Sequence, residues 1–237
     1  MKLREEEDCV VIEPAGKASA AVIWLHGLGA DGHDFVPVVP ELHLPESPPV
    51  RFVFPHAPVR PVTINNNMAM RAWYDIYSLG GMRRQDEAGV RDSERILQGY
   101  VQRERAAGIA ADRIVLAGFS QGGAIALHAG LRHPEKLAGI LALSTYLPLS
   151  EQLAECNPAR KDTPILMCHG TEDPMLPVEL GMASRDLLQQ AGYTVEWREY
   201  PMPHSVSAAE IVDVAAWLRQ RLPDDGPRII LPPHFRR

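Results

Sequence analysis

The stretch VLAGFSQGG, residues 115–123, constrains this chain most. An apolar run suited to a buried strand stops at a serine hemmed in by Gly118, Gly122 and Gly123. It then runs straight into the small apolar sequence AIALHAGL. A strand that becomes a helix within so few residues leaves no space on the inner side of the turn for anything but glycine. The residue at the tip projects. The spacing is G-x-S-x-G, with Gly118, Ser120 and Gly122, a turn that holds a serine hydroxyl at the carboxyl edge of a sheet. It requires a strand before it and a helix after it, and so a layered α/β arrangement.

The rest of the chain supplies such layers. Strand candidates are CVVIEP, AAVIWLH, RFVFPH, RIVLAGF, LAGILALS, PILMCHG and TVEWREY. Several are apolar nearly throughout, as strands covered on both faces must be. Amphipathic segments lie between them. From Asp86 to Gly108, Ile96, Leu97, Tyr100 and Val101 share one helix face. The last helix begins with Ser207 and Glu210 in capping-box spacing and lines up Ile211, Val214, Ala215, Leu218 and Leu222. The spacing predicts one domain over residues 1–222, followed by a proline-rich C-terminal tail, 223–237.

Composition excludes several function classes. The 237 residues carry a net charge of −6, with no clustering of Lys and Arg to hold a nucleic acid. Cys9, Cys156 and Cys168 are an odd, scattered set, which predicts neither a disulfide framework nor a metal site and fits a reducing compartment. The N-terminal MKLREEEDCV has no apolar leader core, and no apolar run is long enough to span a membrane. The expectation is a cytoplasmic protein without stable membrane insertion.

The loop LHGLGADGHD matches G-x-G-x-x-G through Gly27, Gly29 and Gly32, the spacing of a dinucleotide site. That site needs a helix opening at the third glycine and an acidic residue after the next strand. Here Pro37 and Pro40 interrupt the helix, and RFVFPHAP ends in His and Pro. The loop fits better beside Ser120. A developing oxyanion needs two backbone N–H donors, one from the residue after the nucleophile, Gln121, and one from an earlier glycine-rich loop, where Leu28 is the natural donor. A plain turn is the other reading of the same glycines.

A serine hydroxyl becomes a useful nucleophile only when a histidine takes its proton and a carboxylate orients that histidine. After an elbow serine the order is acid, then histidine. His128 and His133 lie on or just after the elbow helix and read as a packing residue and a helix-end cation. His169 comes too early and reads as a packing or supporting residue, and His234 sits in the tail. His204, in the proline-stiffened loop YPMPHSVSAAE, has the right place. The acid comes from HGTEDPMLP, where Asp173 is preferred because the following proline stiffens its turn. Spacing alone leaves Glu172 open.

These residues resemble the carboxylesterase and acyl-protein thioesterase group of α/β-hydrolases, the phospholipase/carboxylesterase family. The likeness rests on LHGLGADGHDF, FPHAPVRPVTIN, MRAWYDI, GFSQGGAIAL, LSTYLP and HGTEDPMLP in order, from about Ala21 to Leu222. It implies the α/β-hydrolase fold, a mostly parallel central sheet flanked by helices. It also implies a Ser120–Asp173–His204 triad, with Leu28 and Gln121 at the oxyanion hole and no metal or organic cofactor. The implied activity is hydrolysis of carboxylic esters or thioesters through an acyl-enzyme. Its substrates would be small-molecule or lipid esters, with lysophospholipids and acylated proteins as alternatives on the same site; a homodimer stays open. The rival class is a catalytically silent ligand-binding protein of this fold.

The family's acyl groove falls on VTINNNMAMRAWYDI, which supplies Met68, Met70, Trp73 and Tyr74, so the resemblance implies substrate contacts from Met68, Met70 and Trp73, and from Leu147 and Leu176 in the other motifs. Methionines would give an adaptable apolar wall, whereas Trp73 is equally suited to plain core packing. The chain reads INNNMAM where bacterial members of the family it resembles often have glycines, and Asn66 and Asn67 can take the same left-handed conformations.

Overall fold

A computed structural model describes residues 1–78, 84–156 and 161–224. Its frame is an eight-stranded sheet. In chain order the strands are β1 (Lys2–Glu5), β2 (Cys9–Glu13), β3 (Ala20–Leu25), β4 (Val50–Pro55), β7 (Ile114–Phe119), β8 (Gly139–Leu143), β9 (Ile165–Gly170) and β10 (Val195–Tyr200). Between β4 and β7, β5 (Val59–Val62) and β6 (Met68–Arg71) form a separate antiparallel ribbon. Across the sheet the order is β1-β2-β4-β3-β7-β8-β9-β10, parallel from β4 to β10, with β1 and β2 antiparallel at one edge.

The uninterrupted apolar runs take the middle of the sheet because both of its faces are covered there. Every residue of β3, β8 and β9 is buried. One face packs on α2 (Glu87–Ala106), α3 (Gln121–Arg132) and α4 (Val178–Gln190), which bury Val90, Leu97, Val101, Ile125, Leu127 and Leu188. The other packs on α5 (Ala208–Arg221) and the one-turn α1 (Val38–Glu41), through Val39, Val214, Ala215, Trp217 and Leu218. Each of the Val, Leu and Ile side chains among these withdraws enough apolar surface to contribute about 1.5–3 kcal/mol.

Three segments that the hydrophobic pattern did not mark are strands, β1 and the two of the β5–β6 ribbon. β1 is exposed along its whole length and exists through pairing with β2. β5 contains Pro61, which a two-stranded ribbon tolerates because it needs fewer ladder bonds than a central strand. The turn joining β5 to β6 places Asn66 at φ 55° and Asn67 at φ 58°, the left-handed conformations their sequence anticipates. His133 is buried beside Gln98, and burial pushes its pKa down, so it is no helix-end cation. The three described cysteines are free and buried. Among the described residues no helix is long and apolar enough to cross a membrane. Of the tail, residues 225–237 lie outside the described part.

At the start of α5, Ser207 Oγ accepts the Glu210 N–H at 3.2 Å, half of the expected capping box. The return half is absent: Glu210 is fully buried, and neither carboxylate oxygen has a partner among the described residues. Burial pushes its pKa up to about 8. An unfolded glutamate ionises near 4.3, so folding favours the protonated form, and that contribution is complete below the unfolded pKa. It is lost as pH rises toward 8. Glu210→Gln cannot ionise. Its stability relative to wild type should therefore rise between pH 5 and pH 8, by an amount on the order of a few kcal/mol. Urea melts of both proteins across that range check this, and parallel curves would mean that the carboxyl group is solvated.

Candidate active site

Backbone geometry at the end of β7 holds Ser120 out of the sheet. Its φ of 54° and ψ of −121° are unusual for a residue with a Cβ, a cost of about 1–3 kcal/mol that the surroundings must offset. Three contacts do so. Ser120 N–H donates to Leu143 O at 2.9 Å, Thr145 Oγ1 donates to Ser120 O at 2.7 Å, and Ala124 N–H donates to the same carbonyl at 3.1 Å. The flanking glycines are sterically required. A Cβ on Gly118 would lie 2.3 Å from Gly122 C, and one on Gly122 would lie 2.4 Å from Leu25 O. The helix can thus start against β3 and β7.

His204 reaches Ser120 from the loop between β10 and α5. The Ser120 hydroxyl donates to His204 Nε2 at 2.9 Å, and His204 Nδ1–H donates to Asp173 Oδ2 at 2.6 Å. Phe119 packs its ring 4.8 Å from the imidazole. Asp173 is buried, and its Oδ1 accepts the N–H groups of Met175 and Leu176, both at 2.9 Å. The carboxylate is therefore fixed from two sides. Glu172 is exposed, and among the described residues its one hydrogen bond is from its backbone N–H to Met202 O. Burial and partners thus favour Asp173 where spacing left both carboxylates open. His169 supports this loop, donating from Nε2 to Leu176 O at 2.9 Å.

The glycine loop after β3 lies against the same serine. A Cβ added to Gly27 would stand 3.3 Å from Phe119 Cδ1 and 3.5 Å from the Ser120 Cβ, so the loop lies in contact with the elbow. Buried His26 anchors the loop, accepting the Ala57 N–H on Nε2 at 3.0 Å and donating from Nδ1 to Gly27 O at 2.7 Å. Burial pushes its pKa down to about 4, which keeps this one neutral tautomer at working pH. Gly29 N–H donates to Arg71 O at 2.8 Å, tying the loop to β6. Leu28, between these anchors, lines the cavity beside Ser120. Gln121 opens α3, so its N–H has no intrahelical acceptor. Its side-chain amide is occupied: Oε1 accepts Trp73 N–H at 2.7 Å and Nε2 donates to Tyr74 O at 2.6 Å.

A cavity of about 300 Å³ opens at these groups, lined by Leu28, Ser120, Gln121 and His204 at one side. Tyr74, Ile76, Tyr77, Tyr146, Met175 and Leu180 form much of its wall, together with Leu176. Of the expected acyl contacts, only Leu176 is among the lining residues. Trp73 is wholly buried, its indole N–H donating to His26 O at 2.9 Å, and Leu147 is buried in the core. Met68 is 64% exposed on the β5–β6 ribbon. Met70 backs the glycine loop, with Sδ 3.8 Å from where a Gly29 Cβ would stand. Sequence reasoning set Tyr74 in the groove segment, with core packing as its other reading, and missed Ile76, Tyr146, Met175 and Leu180 as wall residues. Each lies inside or beside a motif segment already singled out, but periodicity does not say which side chains turn toward a shared space.

Met70→Ala should therefore act on the support of the Leu28 loop. The expected result is a loss of kcat/KM by similar factors for acetyl and octanoyl esters. A loss confined to the octanoyl ester would restore Met70 to the acyl wall.

Residues 6–222 match the model of the Phospholipase/Carboxylesterase family. The chain is 42% identical over 224 residues to acyl-protein thioesterase 1 of Gibberella zeae, covering 90% of this chain and 95% of that one. It is also 42% identical over 224 residues to the protein of the same name from Neurospora crassa, covering 90% and 91%. Among solved structures, Arabidopsis thaliana SOBER1 superposes with a TM-score of 0.80 at 34% identity, covering 86% of this chain and 99% of that one. Zea mays acyl-protein thioesterase 2 superposes with a TM-score of 0.81 at 28% identity, covering 90% and 98%.

Proposed function

We propose, for a chain that belongs to the phospholipase/carboxylesterase family of α/β-hydrolases, that its hydrolysis of esters or thioesters runs through Ser120, His204 and Asp173. The observation that carries this is the continuous relay from Ser120 Oγ through His204 to Asp173, at 2.9 Å and 2.6 Å, on the wall of the cavity. Ser120 Oγ attacks the substrate carbonyl carbon while His204 Nε2 takes its proton. The electron pair displaced from the carbonyl bond develops as an oxyanion, which accepts the N–H groups of Leu28 and Gln121. Loss of one such donor typically costs about 10²–10³ in turnover. The tetrahedral species collapses, the carbon–oxygen or carbon–sulfur bond breaks, and His204 returns the proton to the leaving group. Water then repeats the sequence on the acyl-enzyme, giving a carboxylic acid and restoring Ser120 Oγ–H.

Asp173 does not take the proton. It accepts the Nδ1–H, so that Nε2 faces Ser120 unprotonated, and it stabilises the imidazolium that forms. The acyl group is proposed to occupy the wall of Ile76, Tyr146, Met175, Leu176 and Leu180. A silent binding protein would have no need for a strained Ser120 facing an oriented histidine. The names of the relatives favour acylated proteins or lipid-derived esters as substrates, with small esters as simpler alternatives.

A hydrolysis panel tests the reading: p-nitrophenyl esters of increasing chain length, one S-acyl thioester and one lysophospholipid. Turnover of at least the ester and the thioester is expected. A purified, folded protein that hydrolyses none of them would contradict it.

A further inference from the structure

Within the apolar wall of the cavity, two phenol hydroxyls meet. Tyr74 Oη and Tyr146 Oη lie 2.9 Å apart, and both residues line the cavity. Two of the other polar side chains on the wall, Asp75 and Gln121, are already occupied. Asp75 accepts from the Thr63 N–H on one carboxylate oxygen and from the Thr63 hydroxyl on the other. Gln121 uses both ends of its amide on the backbone of residues 73 and 74.

The tyrosine pair has one proton too many. Two hydroxyls bring two O–H donors, and the bond between them uses one. Burial raises the pKa of both phenols, so both protons stay in place. Tyr74 is the more deeply buried, and among the described residues its hydroxyl has no partner other than Tyr146. Its proton therefore goes to Tyr146 Oη, and the Tyr146 proton is left for whatever enters the cavity. The pair is also held in register with the nucleophile: Gln121, next to Ser120, grips the Tyr74 carbonyl through its side chain.

We propose that Tyr146, backed by Tyr74, is a specificity-determining residue that donates a hydrogen bond to an oxygen carried along the acyl chain, so that oxo- and hydroxyacyl esters are favoured over plain acyl esters of equal length. This rests on the acyl group occupying the cavity as proposed above. A plain alkyl chain would displace water from the Tyr146 proton and leave that donor unpaired, whereas a chain oxygen accepts it. Burying an unpaired donor is the more costly arrangement.

The test compares kcat/KM for octanoyl esters with a set carrying a ketone at successive carbons, since a ketone can only accept. In wild type at least one ketone position should be favoured over the plain ester by about three- to tenfold, the range of one neutral hydrogen bond. Tyr146→Phe keeps the ring and should bring that ratio to about one, while Tyr74→Phe should leave it above one. Reading the ratio within each enzyme removes any general loss of activity. No favoured position in wild type, or an unchanged ratio in Tyr146→Phe, would overturn the proposal. Hydrolysis of the acetyl ester by wild type reports separately on the underlying reading, and its absence would defeat the proposed function itself.

Discussion

Ser120→Ala should fold normally and lose about six orders of magnitude in turnover, the loss typical when the nucleophile of such a triad is removed. That corresponds to about 8 kcal/mol of transition-state stabilisation. The fold should survive because the bonds that hold the elbow come from the backbone of residue 120. Its N–H donates to Leu143 O, and its carbonyl accepts from Thr145 Oγ1 and Ala124 N–H. Alanine keeps all three. It also keeps the Cβ, so the strain at φ 54° is unchanged. Only the oxygen that faces His204 is lost. Circular dichroism and a denaturant melt would establish the fold, and initial rates on a short p-nitrophenyl ester would give the loss. A folded variant within tenfold of wild type would mean that another group attacks the carbonyl.

Asp173→Asn should cost about four orders of magnitude, through the histidine. The surroundings of the carboxylate decide which way an amide would sit. Oδ1 faces two backbone N–H groups, from Met175 and Leu176, so the asparagine oxygen must stay there. Its NH₂ then faces His204 Nδ1, where Oδ2 had accepted. A donor now meets a donor unless the imidazole shifts its proton to Nε2. In that tautomer Nε2 cannot take the proton from Ser120. Glu172→Gln should change the rate little, because that side chain is exposed. Parallel kcat measurements on the two variants check the contrast. If Glu172→Gln carried the larger loss, the acid role would move by one residue.

The parts of the site readable from sequence were those whose chemistry fixes their neighbours. An elbow serine forces glycines onto the inside of its turn, and the contacts Gly118 and Gly122 would lose with any Cβ are the physical form of that signal. The order of acid and histidine along the chain singled out the loop of His204, which does come within hydrogen-bond reach of Ser120. The central strands were readable because burial on both faces leaves a continuous apolar run.

Other features depend on surroundings that pattern does not encode. The choice between Asp173 and Glu172 turns on which one the loop points inward. β1 has no apolar face and owes its conformation to β2. The wall of the cavity is assembled from segments far apart in the chain, around Tyr74, Tyr146 and Leu180. Of the acyl contacts that sequence reasoning assigned to Met68, Met70, Trp73, Leu147 and Leu176, only Leu176 is among the residues lining this cavity. Glu210 is a similar case. Its spacing from Ser207 predicted a reciprocal cap, yet its side chain turns inward, where burial raises its pKa.

The most direct measurement is covalent trapping. A serine-directed organophosphonate forms a stable bond with an activated Oγ, and peptide mapping by mass spectrometry locates it. The expected result is stoichiometric labelling of the wild-type protein on Ser120, in the peptide containing GFSQGG, with no labelling of Ser120→Ala. Labelling that persists in Ser120→Ala, or that maps to a different serine in the wild type, would contradict the assignment of the nucleophile.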